Sequence, residues 1–563
     1  MRRYKIIFLI FLILVIAFIA FLPSLKNGFV RWDDDVYVTN NQAIKSFSWE
    51  NAATIFTSFY AGNYQPLTIL SYFLDYHLCK LNPFGYHLTN LILHLLNCLL
   101  VFWLIFIFSD SPQVSFITAI LFAIHPLRVE SIAWISERKD VLYAFFYLGA
   151  MISYCYYLRQ RRISKYYYLS LFLFLLSISS KAAAASLPLA LFLIDYLMGE
   201  RRSVAGLIDK IPFFTLSLLF GIVACFAQRL NELIGCKISF NLLHKFMIAG
   251  YAAFFYLKKI FIPTNLSFLY TYPEKTTAFI LPFFMIVILI LALLFLARRF
   301  HKIVFCGALY LITLLPVMQF IPIGGYVLVY DRYTYIPSVW IFYAVSEFFV
   351  WLYKKNIKYH QAGRIFLVII LIGIIIILAV LTWKRCGIWK DDVSLWSDPI
   401  EKSHDSAMTY RNRGYAYFNK GEYDKAVNDF NKALEIDPNS KFDYHNRGAA
   451  LGKIGKTDDA ILDFNKAIKI DQNYGEAYYN RGIAYMQKDD LERAISDFDR
   501  AIKIDPDNTG ARFKRAVAYL IKKEYDKSWR DLCAIEKLGG KDKIDLLFRE
   551  YVRKKLNQSR VGE

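Results

Sequence analysis

The chain has 563 residues, 56% hydrophobic and 17% aromatic, with a formal net charge of +20. Apolar runs of membrane length recur up to Trp383, which excludes an ordinary soluble enzyme and makes this a multi-span membrane protein. The positive charge sits in short clusters between those runs (Arg2-Arg3, Arg159 to Lys165, Arg201-Arg202, Arg298 to Lys302, Lys354 to Lys358), where it sets orientation instead of forming a nucleic-acid surface.

In chain order, the candidate spans are about 6–22, 88–108, 115–126, 142–158, 166–180, 182–198, 211–228, 244–262, 279–297, 302–317, 334–353 and 364–383. The first has the charged start of a signal peptide but no small-residue cleavage site, so it reads as a retained span. With Arg2, Arg3 and Lys5 inside, alternation keeps the basic loops inside if one of 211–228 and 244–262 does not cross. The second, interrupted by His244, Lys245, Lys258 and Lys259, is the expected interfacial or re-entrant helix. About eleven crossings then put 23–87, 127–141, 263–278, 318–333 and everything after 383 outside. The eight cysteines are scattered without a CxxC or ligand spacing, and no metal site or disulfide framework is expected.

Character changes at Trp383. A lead-in helix is expected at 391–402, within a linker at 384–406. From Ala407 the sequence repeats every 34 residues: Tyr410, Tyr444 and Tyr478 align, as do Gly414, Gly448 and Gly482, and Phe430, Phe464 and Phe498. This is the tetratricopeptide pattern, in which small residues let paired helices approach and aromatics fill between them. Copies are expected at 407–440, 441–474 and 475–508, a degenerate one at 509–542, and a capping helix and tail at 543–563. The fold class is therefore all-α: a membrane helical bundle over 1–383, then an α-solenoid.

Three groups of residues invite chemistry. Asp33-Asp34-Asp35 follows the first span closely and is flanked by Phe29, Trp32, Val36 and Tyr37 instead of the Ser, Gly and Lys of a free loop. Adjacent carboxylates raise one another's pKa, which suits a general base near a bilayer face, although a charge run can also be a solvated loop. The loop 127–141 carries Arg128, Glu130, Glu137, Arg138, Lys139 and Asp140 just after His125. An amphipathic surface helix would explain it, but cations on the outer face fit a phosphate ligand better. Asp331 and Arg332 open a late span and could pair with each other; Lys181 reads equally as a snorkelling lysine. His87 and His94 share a helical face, which is too little for a metal site.

The order Phe29-Val-Arg-Trp-Asp-Asp-Asp, Tyr64-Gln-Pro-Leu, Tyr86-His-Leu-Thr-Asn, His125-Pro-Leu-Arg-Val-Glu-Ser-Ile-Ala-Trp-Ile-Ser-Glu-Arg-Lys-Asp, Asp331-Arg-Tyr-Thr-Tyr-Ile-Pro and a tetratricopeptide tail resembles the TMTC family over nearly the whole chain. These are transmembrane, repeat-bearing O-mannosyltransferases of the GT-C fold. The resemblance implies transfer of mannose or another hexose from a polyprenyl-phosphate carrier to Ser/Thr hydroxyls of extracytoplasmic proteins. Asp33 and Asp34 would do the base work. His125, Arg128, Glu130, Glu137, Arg138, Lys139, Asp140, Asp331 and Arg332 would line the carrier-phosphate and acceptor region. The repeats would hold a protein acceptor, with Tyr410, Asn412, Arg413, Asn446, Arg447, Asn480 and Arg481 in the groove.

Two departures stand out: about four repeats where eukaryotic members have longer arrays, and a Ser180-Lys181-Ala stretch where Ser-Lys-Pro is expected. The short repeat tail points to a bacterial inner-membrane member. A divalent metal is compatible with this reading but not indicated. Two alternatives stay open: a non-enzymatic membrane scaffold, and a GT-C transferase acting on a lipid or envelope glycan.

Overall fold

The computed structural model describes residues 2–160, 162–199, 204–230, 241–273, 276–296, 301–318, 327–356, 361–402, 406–539 and 546–561. It divides into two compact units, Met1–Asp398 and Pro399–Glu563.

The first unit is a bundle of apolar helices, as a membrane protein requires. Six helices among the described residues are long and apolar enough to cross a bilayer: Tyr4–Lys26, Pro83–Ser109, Ile135–Arg159, Gly206–Leu230, Thr276–Phe295 and Gln361–Trp389. Prolines open several helices where a missing N–H costs nothing, at Pro66, Pro83 and Pro112. Side-chain caps help: Asn82 accepts from the Phe84 N–H and Ser111 from the Val114 N–H. The segment 244–262, expected at the interface, is one continuous helix, Leu242–Phe261.

The bundle departs most from the sequence reading between residues 125 and 140. In place of an exposed loop or surface helix there is a buried, broken helix. Pro112–Ile124 and Pro126–Ala133 meet at 57°, because Pro126 lacks an N–H and holds His125 extended. A second break at Trp134, also extended, precedes the helix Arg138–Arg159. Arg128, Glu130, Glu137, Arg138, Lys139 and Asp140 are all buried. Backbone freed at the breaks finds partners from neighbouring helices. Asn90 Nδ2 donates to the Ile132 and Trp134 carbonyls (both 3.3 Å), and the Tyr72 hydroxyl donates to the Ile135 carbonyl (2.8 Å). Irregular backbone within an apolar helical bundle is tolerated when it is enclosed by protein in this way.

A two-stranded antiparallel ladder, Tyr270–Thr271 with Val327–Val329, pairs Tyr270 with Val329 and delivers Asp331 and Arg332 into the bundle. Of the expected outside loop 318–333, residues 319–326 lie outside the described residues, as does Cys236.

The second unit is a solenoid of helix pairs: Ala407–Asn419 with Tyr423–Ile436, Lys441–Lys453 with Thr457–Ile470, Gly475–Gln487 with Leu491–Ile504, and Thr509–Ile521 with Tyr525–Lys537. The helix Leu546–Val561 follows. The glycine period has a steric cause. A Cβ at Gly414, Gly448 or Gly482 would sit 2.9, 2.9 or 2.7 Å from the ring of Phe430, Phe464 or Phe498.

Candidate functional site

A cavity of about 310 Å³ in the first unit gathers residues from six distant stretches, at the lower end of the ~300–1,000 Å³ usual for small-molecule sites. Trp32 and Asp33 form one wall, Asn63, Tyr64 and Gln65 another, and Lys139 with Lys181 a third; Ala224 and Gln228, then Tyr330, Arg332 and Tyr333, complete it. One carboxylate therefore shares the cavity with three cations.

The acidic triplet splits by role. Asp33 lines the cavity. Burial pushes its carboxyl up to about 6; Lys139 and Arg332 pull it down, while Glu137 and Asp35 push it up. Asp34 turns away and is buried. Its Oδ2 accepts the Val30 N–H (2.9 Å), and its Oδ1 accepts both the Ser136 N–H (3.0 Å) and the Ser136 hydroxyl. Burial pushes it up to about 7 against those bonds. Asp34 thus ties the first loop to the second break of the broken helix. Asp35 begins the turn Asp35–Thr39 and does not reach the cavity.

The cations are held from behind by acids. Lys139 Nζ pairs with Glu137 (3.0 Å) and lies 5.1 Å from the Tyr37 ring centre. Tyr37 is itself fixed by Gln65, whose amide donates to the phenol oxygen (2.5 Å). Lys181 pairs with Asp140 and, at 3.8 Å, with Glu137. Arg332 pairs with Glu130 and Glu137 (Nε to Glu137 at 3.2 Å), and its backbone N–H donates to Glu130 (3.0 Å). Its guanidinium lies 3.6 Å from the Tyr330 ring centre. Glu130, Glu137 and Asp140 therefore hold three ammonium or guanidinium groups oriented toward one space.

The other residues singled out from sequence lie elsewhere. Arg138 is consumed inside the bundle: Asp75 (2.5 Å), Asn90 Oδ1 (2.7 Å) and the Tyr86 carbonyl (2.9 Å) take its donors. Arg128 donates to the Thr334 hydroxyl and carbonyl and stacks on Phe122 and Tyr335. His125 accepts the Leu127 N–H and is 3.0 Å from the Ile260 carbonyl through Nε2. Asp331 faces Tyr270 (3.0 Å) and Arg385 (3.6 Å) instead of pairing with Arg332. Lys181 is the residue that sequence reasoning undervalued. The signal was a lone cation between two apolar runs, which snorkelling explains equally well. His94 is buried against Tyr335 and the Ala123 carbonyl, and among the described residues no three His, Cys, Asp or Glu side chains converge as a metal site.

In the second unit, the repeat arginines are tied up internally. Arg413, Arg447 and Arg481 each make a two-pronged pair with Asp429, Asp463 or Asp497, all contacts being 2.7 or 2.8 Å, and Arg515 repeats the pattern with Asp531. Tyr410 packs near Arg413, and Asn412 is partly buried. Asn446 and Asn480, with His445, line a cavity of about 320 Å³ walled by Phe418, Phe430 and Phe464.

Comparison with known proteins agrees with this division. Profiles for "Tetratricopeptide repeat" match 407–440 and 475–508, and one for "TPR repeat" matches 453–489. Protein O-mannosyl-transferase F38B6.6 of Caenorhabditis elegans is 24% identical over 395 residues, 67% of this chain and 54% of that protein. The chain is a relative of the TMTC protein O-mannosyl-transferases. Human TMTC3 is 36% identical over 92 residues (16% of this chain, 10% of that protein), and human TMTC1 is 34% identical over 150 (23% and 16%). The chain spans about half the length of the Caenorhabditis relative and smaller parts of the human ones. Among solved structures, a crystal structure of MamA is 24% identical, covering 27% of this chain and 90% of that one, with a TM-score of 0.25.

Proposed function

We propose that the chain transfers a hexose, mannose by analogy with its TMTC relatives, from a polyprenyl-phosphate carrier to Ser/Thr hydroxyls of proteins. The observation that carries this reading is the single cavity that sets Asp33 opposite Lys139, Lys181 and Arg332. Such a transfer needs a base for the incoming hydroxyl and compensation for the departing phosphate, and the cavity offers one of each.

Asp33 Oδ takes the hydroxyl proton as that oxygen attacks the anomeric carbon. The bond from that carbon to the carrier phosphate oxygen breaks, and its electron pair leaves with the phosphate. Attack from the face opposite the leaving group inverts the anomeric centre. Lys139, Lys181 and Arg332 stabilise the growing phosphate charge, and being pinned by Glu137, Asp140 and Glu130 they need little reorganisation as it develops. The apolar, half-exposed helix Ile211–Leu230 contributes Ala224 and Gln228 to the cavity edge, a suitable flank for a prenyl chain. The repeats would bind the protein acceptor, and an inner-membrane protein with this cavity on the extracytoplasmic side fits the charge bias of the loops.

The test is the full chain in lipid nanodiscs with polyprenyl-phosphate mannose and Ser/Thr peptides. A peptide mass gain of one hexose with release of polyprenyl phosphate is expected. Donor consumption that needs a lipid or glycan acceptor, or no turnover with any hexose donor, would overturn it.

A further inference from the structure

The cavity's first wall does not hold itself in place. Residues 27–31 send three long-range hydrogen bonds to one segment, Cys386–Trp396, which follows the last long apolar helix. Asn27 Nδ2 donates to the Cys386 carbonyl (3.0 Å), the Gly28 N–H to the Lys390 carbonyl (3.0 Å), and the Arg31 N–H to Asp392 (2.6 Å). Trp32, a cavity residue, meets Trp396 edge-on with ring centres 5.0 Å apart, and Phe268 closes the group at 5.8 and 5.3 Å.

The same segment supports the opposite wall. Trp389 stacks on Trp134 (5.0 Å, 15° between planes), and Trp134 carries the Arg332 guanidinium 5.3 Å from its ring centre. Arg385 joins Asp331 (3.6 Å) to Asp398 (3.4 Å). Trp389 and Trp396 are almost fully buried. A segment needed only to end a helix would not require two buried tryptophans and bonds to both walls.

We propose that Cys386–Asp398 is a positioning strap for the cavity, with Trp396 and Asp392 as positioning residues that fix where Asp33 points. The proposal rests on the transferase reading for its kinetic consequences but not for its structural one. The strap touches the base side directly, whereas Lys139 and Lys181 are held by Glu137 and Asp140. Loosening it at Trp396 or Asp392, which touch the Trp32 side, should therefore slow the chemical step and spare donor binding. Misplacing a reacting group by about 1 Å can cost ~100-fold in rate.

The experiment uses the full chain in nanodiscs with Trp396→Ala, Trp396→Phe and Asp392→Asn. Amide hydrogen exchange over 28–38 should quicken at least about tenfold in Trp396→Ala, less in Asp392→Asn, and stay near wild type in Trp396→Phe, which keeps the ring. Transfer should show kcat down ~10–100-fold in Trp396→Ala with donor KM within about twofold, and recovery in Trp396→Phe. If Trp396→Ala is too unstable to purify, Asp392→Asn, at the partly exposed edge, gives the same two readings. Unchanged exchange in these variants overturns the strap whatever the activity. Donor KM rising in step with the loss of kcat, or no recovery in Trp396→Phe, also overturns it. A wild type that transfers no sugar overturns the transferase reading, while exchange still decides the strap.

Discussion

Asp33 and Asp34 are neighbours in sequence and differ in every contact, so replacing each by asparagine separates chemistry from architecture. Asp33→Asn removes the one carboxylate that lines the cavity among the described residues and leaves Lys139, Lys181 and Arg332 with their own acids. General-base catalysis is worth ~10²–10⁴-fold, or about 2.7–5.4 kcal/mol of barrier. We expect a kcat loss in that range with the melting temperature and the affinity for polyprenyl phosphate near wild type. Asp34→Asn should do the reverse. Asp34 accepts three hydrogen bonds in a buried site, and an asparagine there turns an NH2 toward N–H or O–H donors that need an acceptor. Leaving one or two buried donors unmet costs about 1–3 kcal/mol each, so the melting temperature should fall. Specific activity per folded molecule should fall far less than in Asp33→Asn. The assay is hexose transfer from a polyprenyl-phosphate donor, alongside thermal unfolding of the same preparations. Asp33→Asn retaining more than about a tenth of wild-type turnover would refute the base assignment.

Because burial raises both carboxyls, to about 6 and about 7, the active ionised form of Asp33 should appear as pH rises. The pH–rate profile of kcat/KM should climb with a midpoint near 6. Lys139→Met should move that midpoint upward, since Lys139 lowers the Asp33 value. The stability sign runs the other way: a raised acid favours the fold below its unfolded value of 3.8 and withdraws that support as pH passes 6–7, visible as a falling melting temperature. Lys181→Met should raise donor KM or lower kcat about tenfold or more, because one phosphate contact goes and buried Asp140 loses its pair. In the repeats, Arg447→Ala should cost about 1–3 kcal/mol of solenoid stability by chemical denaturation while leaving acceptor KM unchanged; Asn446→Ala should do the opposite.

What could be read from the sequence follows from the range of the forces involved. The repeats were legible because their glycine and phenylalanine period is imposed by contacts within one helix pair. Asp33 was legible because apolar and aromatic flanks beside an acid run leave little room for a free loop. The division of labour around Arg128 to Asp140 was not. On a regular helix or surface loop, Arg128, Arg138 and Lys139 could all face one ligand. The breaks at Pro126 and Trp134 turn Arg128 toward Thr334, Arg138 toward Asp75 and Lys139 alone into the cavity. Linear spacing carries no record of those two turns. Lys181 joins the site through Asp140 and Glu137, contacts between distant stretches. The Arg–Asp spacing of sixteen in the repeats (Arg413 with Asp429, Arg447 with Asp463) was visible in the sequence and would have removed those arginines from the groove.

Those arginines do more than close their own helix pair. Arg447 also donates to Asn431 (2.6 Å), Arg481 to Asn465 (2.5 Å) and Arg515 to Asp499 (2.5 Å), each one repeat back. Every junction is thus fastened by a residue of the later repeat, as links in a chain are closed one after another. Fraying from the far end would release one guanidinium at a time and leave the remaining links complete. An array built this way can differ in length by whole repeats without changing the chemistry at any joint that remains.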